Sequence, residues 1–481
     1  MSIKLRGNIR SAGVLLFSQI LLSIAGPIVN LLVVRYLGPE NFGYYASALA
    51  VSSFIEILAD FGTNQATLKH GSLGDSELNE AFRTGLKVSM TLAAVAYFIT
   101  AVWFYALRYE TIIIHLGLLF AFRYFVTAFV APCSAVLQTK SAYKKLALLS
   151  LITSAANWLS TLILLLLGAE LKLLVGVPVC VYGVVTFFSF YYAIRQWTQK
   201  CNQKATHSII SYLYDSLIFG LSGTFYKIYN QSDSALLSAM RPSIEVGFYQ
   251  VSFGVIGLVY VVPGIVFNQV LYPKYFKLSQ TDRGHYRLLY GLTSKLMIVL
   301  GCSLCLGIWA IGDIVIKMLF GEAYASSIIY LFILGLAVPF RYWASAAGSV
   351  LTTDNLAERK VKVQGIVAII NLILNLVFIP IYGALCAAVT TVICEAFLAV
   401  CYLKMVSAFS LTINIWRDLR LHYFLVIMCI GAVLRFSNIL SGIPWLRTIL
   451  LIVLVVSLIL YMVSPFYLNR EEKSEFMISE N

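Results

Sequence analysis

The sequence predicts an all-α integral membrane protein with about 14 transmembrane helices. Of its 481 residues, 60% are hydrophobic and only 12% are charged, whereas a soluble globular domain is roughly 45–50% apolar and about 25% charged. Apolar runs of about 20 residues, long enough to cross the hydrocarbon of a bilayer as helices, recur along the whole chain. The strict alternation of a transmembrane β-strand is absent from these runs. A soluble enzyme and a disordered scaffold are therefore both excluded.

Each predicted span corresponds to one of these apolar runs. The spans cover residues 12–34, 42–61, 86–106, 112–137, 146–167, 171–194, 209–229, 246–271, 288–311, 328–351, 363–379, 384–403, 423–440 and 445–463. Loops on one side of the membrane carry about 25 of the 35 basic residues, and loops on the other side carry about 6. This asymmetry places both termini in the cytoplasm. It also accounts for the net charge of +13, so the charge indicates no nucleic-acid partner.

The two halves of the chain share short patterns in the same order, which predicts an internal duplication. The matched segments are Phe42-Gly43-Tyr44-Tyr45 with Val246-Gly247-Phe248-Tyr249, Phe122-Arg123-Tyr124 with Phe340-Arg341-Tyr342, and Asn157 with Asn371. Six helices per half return the chain to its starting side of the membrane. We therefore expect two parallel six-helix repeats around a central cavity, followed by two helices without a counterpart.

This duplication predicts four regions. They are an N-terminal six-helix bundle at 1–194, a cytoplasmic linker at 195–208, a C-terminal six-helix bundle at 209–403, and an appended helix pair 13–14 with a cytoplasmic tail at 404–481. No loop is long enough to form a soluble catalytic domain, and no P-loop sequence occurs. The organisation therefore favours transport over catalysis.

Basic residues inside the predicted spans are candidates for substrate binding, because a charge at the centre of a membrane helix costs about 2.5–3.5 kcal/mol. Arg123 and Arg341 hold equivalent places in the two repeats, which would put one on each wall of the cavity. Two guanidinium groups facing a cleft suit a phosphate or pyrophosphate. The alternative is that each arginine snorkels or pairs with a nearby carboxylate. The candidate substrate-binding residues are Arg123, Arg341, Lys227 and Arg35.

Acidic residues inside the spans are candidates for ion coupling. The set comprises Asp60, Glu56, Asp215, Asp233 and Glu395. Glu56 and Asp60 are four positions apart and so share one helical face, where they could hold a proton or a cation. Alternatively, they neutralise the arginines or cap the helix end near Gly62. No catalytic residue, cofactor or metal site is predicted, because the five histidines are scattered and Cys302 and Cys305 lie in an apolar helix.

Several of these segments resemble one family of transporters. The stretch from Arg35 to Tyr45 that continues to Asp60-Phe61-Gly62 is similar to the first signature of bacterial polysaccharide-lipid flippases, the Wzx-type O-antigen and exopolysaccharide translocases. Asp233 with Glu245-Val246-Gly247-Phe248-Tyr249 resembles their second-half signature. The segments 371–375 and 379–384, together with Glu395, resemble their eleventh and twelfth helices. Leu385-Cys386 departs from the small residues usual there. The superfamily, MOP, also holds multidrug antiporters and lipid II flippases.

The resemblance implies a function for the chain. It implies a flippase that moves an undecaprenyl-pyrophosphate-linked oligosaccharide from the inner to the outer leaflet of the cytoplasmic membrane by alternating access. H⁺ or Na⁺ is a candidate counter-ion, glycan-assembly proteins are candidate partners, and a monomer is expected. One alternative is a MATE-like multidrug or metabolite cation antiporter, which would prefer an acidic cavity. A second is a membrane-embedded glycosyltransferase or polymerase, which normally needs a sizeable extramembrane loop.

Overall fold

The structure is a computed structural model that describes residues 2–195, 209–265, 267, 271–354, 356–409, 411, 421–437 and 443–463. All regular elements in this part of the chain are helices. Eleven helical segments here are long and apolar enough to cross a membrane, and a shorter apolar helix covers Tyr423–Phe436. The predicted fold class is confirmed, whereas the exact number of 14 spans is not. The predicted linker, apart from Arg195, lies outside the described residues.

The chain divides into two compact units, Met1–Gly247 and Phe248–Asn481. The helices of the first unit are α1 Ser2–Ile55, α2 Ile57–Asp60, α3 Thr63–Gly71, α4 Asp75–Ala106, α5 Thr111–Ala121, α6 Arg123–Thr139, α7 Tyr143–Leu166, α8 Leu171–Ile194 and α9 Ile209–Met240. Helix α9 packs on α1 and α3, so it belongs to the compact first unit although it follows the predicted linker. The predicted repeat boundaries at 1–194 and 209–403 stay a prediction.

Helix α10, Ser243–Ile265, begins at the end of the first unit and continues in the second. The remaining helices are α11 Tyr272–Thr281, α12 Arg283–Phe320, α13 Ser327–Gly335, α14 Ala337–Thr353, α15 Ala357–Tyr382, α16 Ala384–Phe409, α17 Leu421–Phe436 and α18 Pro444–Val463. Helix α12 begins at Asp282, whose Oδ1 accepts the backbone N–H groups of Gly284 and His285 at 2.9 and 3.0 Å. The backbone hydrogen bond from His285 keeps the pKa of Asp282 below its usual value.

Helix breaks divide the long apolar runs at defined residues. In α1, Gly38 has φ 68° and ψ 173°, a conformation that only glycine adopts readily, and the break separates the first two predicted spans. The fourth predicted span is two helices, α5 and α6, joined by a tight turn at Phe122. The tenth is also two helices, α13 and α14, joined at Leu336. Pro339 follows that second break and has no N–H to donate to Gly335, which favours the interruption.

Two glycines of the predicted repeat pack against each other. A Cβ on Gly43 would lie 2.5 Å from the carbonyl oxygen of Ser243, and a Cβ on Gly247 would lie 3.1 Å from Cα of Gly43. Real Cβ atoms do not approach as closely as 2.5 Å, so position 43 requires glycine, whereas a Cβ at position 247 would require a small shift of its neighbour. Helix α1 and the start of α10 are thereby brought into backbone contact, as small residues allow between membrane helices.

A buried polar chain links α15 to α16 in the second unit. Asn375 donates from Nδ2 to Oδ1 of Asn371 at 3.0 Å, and the Thr390 hydroxyl donates to Oδ1 of Asn375 at 2.6 Å. All three residues are buried. The hydroxyl of Thr390 thereby joins α16 to the amides of α15.

Gly43→Ala is expected to destabilise the protein by about 1–3 kcal/mol, because the added methyl must displace backbone of the segment before α10. Thermal unfolding in detergent measures this. The matched control is Gly254→Ala in α10, where a Cβ would meet nothing within 4 Å. A Gly43→Ala protein as stable as the Gly254→Ala protein would show that this close approach does not constrain the fold.

Candidate substrate and ion-coupling sites

The end of α1 carries a carboxylate into the first unit. Helix α1 stops at Ile55, and Glu56 occupies the turn before α2. Its Oε1 accepts the hydroxyl of Thr127 at 2.7 Å. Thr127 lies one helical turn after Arg123 on α6, so the carboxylate and the guanidinium lie along the same side of that helix. Glu56 itself keeps helical backbone angles, and its N–H still donates to the carbonyl of Ser52 at 2.9 Å, so its side chain continues a face of α1.

Arg123 is the first residue of α6, and its side chain is half-buried. The guanidinium lies over the ring of Tyr182 from α8, 5.9 Å from the ring centroid. Within the described part of the chain, no carboxylate oxygen lies within 4 Å of this guanidinium. Arg123 therefore keeps its charge and most of its donors available for an anionic ligand.

Lys227 lies on α9 beside the same end of α1. Its Nζ is 3.5 Å from the carbonyl oxygen of Ser53, which is long for a hydrogen bond. Ser53 precedes Glu56 by three residues, so Lys227 and Glu56 both lie at the last turn of α1. Arg123 is connected to them through Thr127, which follows it by one helical turn and binds Glu56.

Asp60 caps a helix. Its Oδ1 accepts the hydroxyl of Thr63 at 2.7 Å and the backbone N–H of Asn64 at 3.1 Å. Between them the chain turns through Phe61 and Gly62, whose φ values are 31° and 80°. This geometry corresponds to the capping alternative that the sequence left open. The predicted role of Asp60 in ion coupling stays a prediction.

Asp215 holds the start of α9 on α3. Its two carboxylate oxygens bind Nζ of Lys69 at 2.8 Å and Nε2 of His70 at 2.9 Å. The hydroxyl of Tyr212 lies 2.8 Å from that of Thr67. No role was predicted for His70, because no local pattern pairs it with a residue 145 positions away.

The same contact includes the turn before α3. The hydroxyl of Ser216 donates to the carbonyl of Phe61 at 2.9 Å. A Cβ on Gly62 would lie 2.4 Å from the Ser216 carbonyl oxygen, and one on Gly220 would lie 2.7 Å from atoms of Phe61. The residues Asp215 and Ser216 thus fix the position of the turn that Asp60 caps.

Arg341 of the second unit forms an ion pair with Glu395. Its Nη1 donates to Oε1 of Glu395 on α16 at 2.8 Å, and the two side chains are 15% and 2% exposed. The guanidinium also lies over the ring of Tyr260 from α10, 5.0 Å from its centroid. For Arg341, the structure corresponds to the alternative of an arginine neutralised by a neighbour.

The tyrosines beside the two arginines make the same contact in each unit. Tyr124 donates to the carbonyl of Ser52 near the end of α1 at 2.7 Å. Tyr342 donates to the carbonyl of Val259 on α10 at 2.8 Å. The matched Phe-Arg-Tyr motifs therefore occupy similar local frames, although the arginines within them have different partners.

Two predicted residues lie elsewhere. Arg35 is exposed, three residues before the break at Gly38, next to Tyr36, whose hydroxyl donates to the Ala169 carbonyl at 3.1 Å. It is separated from Glu56 by most of the length of a membrane span, so it does not join Arg123. Asp233 is buried in α9, at 1% exposure. Among the described residues, no group of three histidine, cysteine or acidic side chains is arranged to hold a metal ion.

A sequence model of a family described as polysaccharide biosynthesis protein matches residues 32–329. The chain belongs to this family. None of the curated proteins matches it significantly. The match covers the first unit from residue 32 onward and α10 to α12, including Arg123 and Lys227 but not Arg341.

Solved structures with a similar fold are those of transporters. The lipid II flippase MurJ in an inward closed conformation has a TM-score of 0.70 at 15% identity, over 92% of this chain and 98% of that one. An inward-facing multidrug resistance MATE transporter of the MOP superfamily has a TM-score of 0.62 at 13% identity, over 80% and 95%. An outward-facing MATE transporter of the same superfamily has a TM-score of 0.53 at 12% identity, over 86% of this chain and 97% of that one. This polysaccharide biosynthesis protein is thus a multi-pass membrane protein with a MOP-superfamily fold.

Asp215→Asn is expected to lower stability by about 1–3 kcal/mol, because it weakens two charge-assisted contacts to a residue with an exposure of only 12%. Thermal unfolding in detergent measures the loss. Asp75→Asn is the matched control, because Asp75 also pairs with a lysine, Lys140, but is 79% exposed, where such pairs contribute about 0–1 kcal/mol. Equal losses in the two variants would contradict a structural role for Asp215.

Asp60→Ala is expected to lower the free energy of unfolding by about 0.5–2 kcal/mol. Asp60→Asn retains a capping oxygen, so its loss of stability should be smaller. Thermal unfolding in detergent measures the stability of both variants. Substrate translocation is measured on the Asp60→Asn protein. A stable Asp60→Asn protein that has lost its dependence on a proton or sodium gradient would show that the charge, rather than the cap, is required.

Proposed function

We propose that this protein flips an undecaprenyl-pyrophosphate-linked oligosaccharide from the inner to the outer leaflet of the cytoplasmic membrane. The observation that carries the proposal is Arg123, a half-buried guanidinium with no carboxylate oxygen within 4 Å in the described residues. A charge in this position can bind an anion that arrives from outside the chain. Membership in a polysaccharide biosynthesis family supports a saccharide-linked lipid as the source of that anion.

The residues around the end of α1 have distinct roles in this proposal. Arg123 donates hydrogen bonds to the pyrophosphate in a fork geometry, and Tyr182 keeps the guanidinium plane in place. Lys227 adds a second positive charge. Its ammonium group is available to the anion because its contact with the Ser53 carbonyl is long for a hydrogen bond. Glu56 stays bound to Thr127, which lies one helical turn after Arg123. Its negative charge thereby limits the positive field to the side that the anion approaches.

The membrane potential supplies a driving force for export. With the cell interior negative, outward movement of one negative charge gains about 2.3 kcal/mol per 100 mV. A pyrophosphate diester carrying about two charges would gain about 4–5 kcal/mol if it crosses the full field. Alternating access by rocking of the two predicted bundles would expose the site to each side in turn.

The fold similarity to MATE transporters raises a second candidate, a cation antiporter. Such a protein needs acidic groups that are available to a cation. In this structure Glu56 accepts a hydrogen bond from Thr127, and Asp60 caps α3. Asp215 binds Lys69 and His70, and Glu395 binds Arg341. Each of these four acidic residues thus contacts a group of the protein itself, which favours the anionic substrate.

Arg123→Ala is expected to reduce the affinity for the lipid-linked glycan by about one to two orders of magnitude, the equivalent of 1.5–3 kcal/mol for a charge-assisted hydrogen bond. Arg123→Lys keeps the charge but not the two-point contact, so a smaller loss is expected. Translocation is followed in proteoliposomes, by accessibility of the glycan to an impermeant glycosidase.

The control for this series is Arg83→Ala, since Arg83 is an exposed arginine on α4. It should translocate as the wild type does. Normal translocation by a well-expressed Arg123→Ala protein, together with uptake of a cationic dye, would instead support the antiporter.

A further inference from the structure

Lys360 is a lysine of the second unit that the proposed function does not use. It lies in the first turn of α15 and is half-buried. Its Nζ donates to the hydroxyl oxygen of Thr352 on α14 at 2.9 Å, and that hydroxyl donates to the carbonyl of Gly348 at 2.8 Å. Thr352 therefore accepts one of the three N–H donors of the ammonium group and brings no negative charge to it.

No acidic side chain compensates this ammonium group in the described part of the chain, where no carboxylate oxygen lies within 4 Å of Nζ. Asp354, which follows α14, is bound by Arg283 at 2.8 Å. Glu358 is exposed and precedes Lys360 by two positions, so it lies on a different face of α15. The lysine is thus held by a neutral group, in a place where a charge without a counter-charge is costly.

A tyrosine hydroxyl lies close to the lysine side chain. A Cβ on Gly348 would lie 3.1 Å from Cε2 of Tyr402 on α16 and 3.6 Å from Cε of Lys360. Because Cε2 is next to the carbon that carries the hydroxyl, the polar end of the ring and the lysine stem converge on the same glycine. The buried hydroxyl of Tyr402 has no hydrogen-bond partner among the described residues. A second donor is therefore available in addition to the ammonium group.

Exposed basic residues surround this end of the second unit. Tyr272, the first residue of α11, lies near Thr352, so α11 begins beside the end of α14. Lys274 and Lys277 on α11 and Lys362 on α15 are exposed. Positive charges grouped in this way raise the local concentration of anions. The ligand that this region attracts is therefore negatively charged.

We propose that Lys360 is the centre of an anion-binding site in the second unit and that the ligand is a phosphate group. The two remaining N–H donors of the ammonium group and the hydroxyl of Tyr402 suit the several acceptor oxygens of a phosphate. An ammonium group binds phosphate as a point charge and needs no planar two-point contact. This site goes beyond the proposed function, because it does not involve Arg123 and stands whether or not that arginine binds a pyrophosphate.

Lys360 should destabilise the folded protein when no anion is bound. Lys360→Met keeps the length of the side chain and removes the uncompensated charge, so it is expected to raise the midpoint of thermal unfolding in phosphate-free detergent solution. A bound anion stabilises the folded state increasingly as its concentration rises. Inorganic pyrophosphate should therefore raise the midpoint of the parent protein, whereas the Lys360→Met protein should lose this response.

The test uses the full-length protein with Arg123→Ala as the common background, so that the arginine of the first unit does not contribute. Binding of inorganic pyrophosphate is measured at constant ionic strength by calorimetry and by thermal unfolding. Lys360→Met is expected to weaken binding about tenfold or more. Tyr402→Phe, which removes only the hydroxyl, should weaken it less. Lys360→Arg keeps the charge and should retain most of the response.

The matched control is Lys362→Met, because Lys362 is an exposed lysine two positions further along α15. It should bind pyrophosphate as its parent does. Equal losses in Lys360→Met and Lys362→Met would show attraction by the surface charge as a whole and would overturn the site.

A second measurement identifies the source of the phosphate. Nanodiscs of phosphatidylcholine receive either phosphatidylglycerol or a short-chain prenyl-pyrophosphoryl-N-acetylglucosamine. A rise of the unfolding midpoint with phosphatidylglycerol that Lys360→Met abolishes would assign the site to a phospholipid headgroup. The same dependence on Lys360 with the prenyl pyrophosphate would assign it to the lipid-linked saccharide.

Two further results would overturn the site. One is a Lys360→Met protein that is less stable than its parent without an anion and responds to pyrophosphate as the parent does. The other is the absence of any response that depends on Lys360, with pyrophosphate and with both lipids. Neither result bears on the flippase proposal, which depends on translocation by the Arg123→Ala protein.

Discussion

The cost of placing a charge in hydrocarbon is the constraint on which this structure depends. Each ionisable side chain inside the membrane must find a partner, reach water or bind a ligand. Asp215 binds Lys69 and His70, Asp60 caps α3, and Arg341 binds Glu395. These contacts fix the positions of helices, because each one joins residues that are distant in the chain or terminates an element. Arg123 stands apart from them in the described residues, and that difference identifies it as a candidate ligand-binding group.

Helix breaks decide where these charges lie. The break at Gly38 separates the exposed Arg35 from the rest of the predicted set. Arg123 is the first residue of α6, directly after the break at Phe122. Irregular backbone in a membrane protein is costly, and here it occurs beside the functional candidates.

The matched Phe-Arg-Tyr motifs show how similar local frames can produce unequal sites. In both units the tyrosine hydroxyl donates to a backbone carbonyl of a neighbouring helix, at 2.7 and 2.8 Å. The arginine beside it is then positioned in the same way, but its surroundings differ by the exchange of one carboxylate and one aromatic ring. Arg341 is thereby paired with Glu395, whereas Arg123 has no carboxylate oxygen within 4 Å among the described residues.

The sequence by itself determined the all-helical membrane class, most of the spans and the residues worth testing, because hydrophobic length and the cost of buried charge are local properties of the chain. It did not determine which of those residues share a site. Asp215 pairs with His70, Arg341 pairs with Glu395, and Asp60 caps a helix, through contacts that span 3 to 145 positions. The separation of Arg35 from Arg123 depends on a helix break that carries only a weak local signal. Only the tertiary structure decided them, because a charged side chain in the membrane is defined by its nearest partner, and packing rather than local sequence selects that partner.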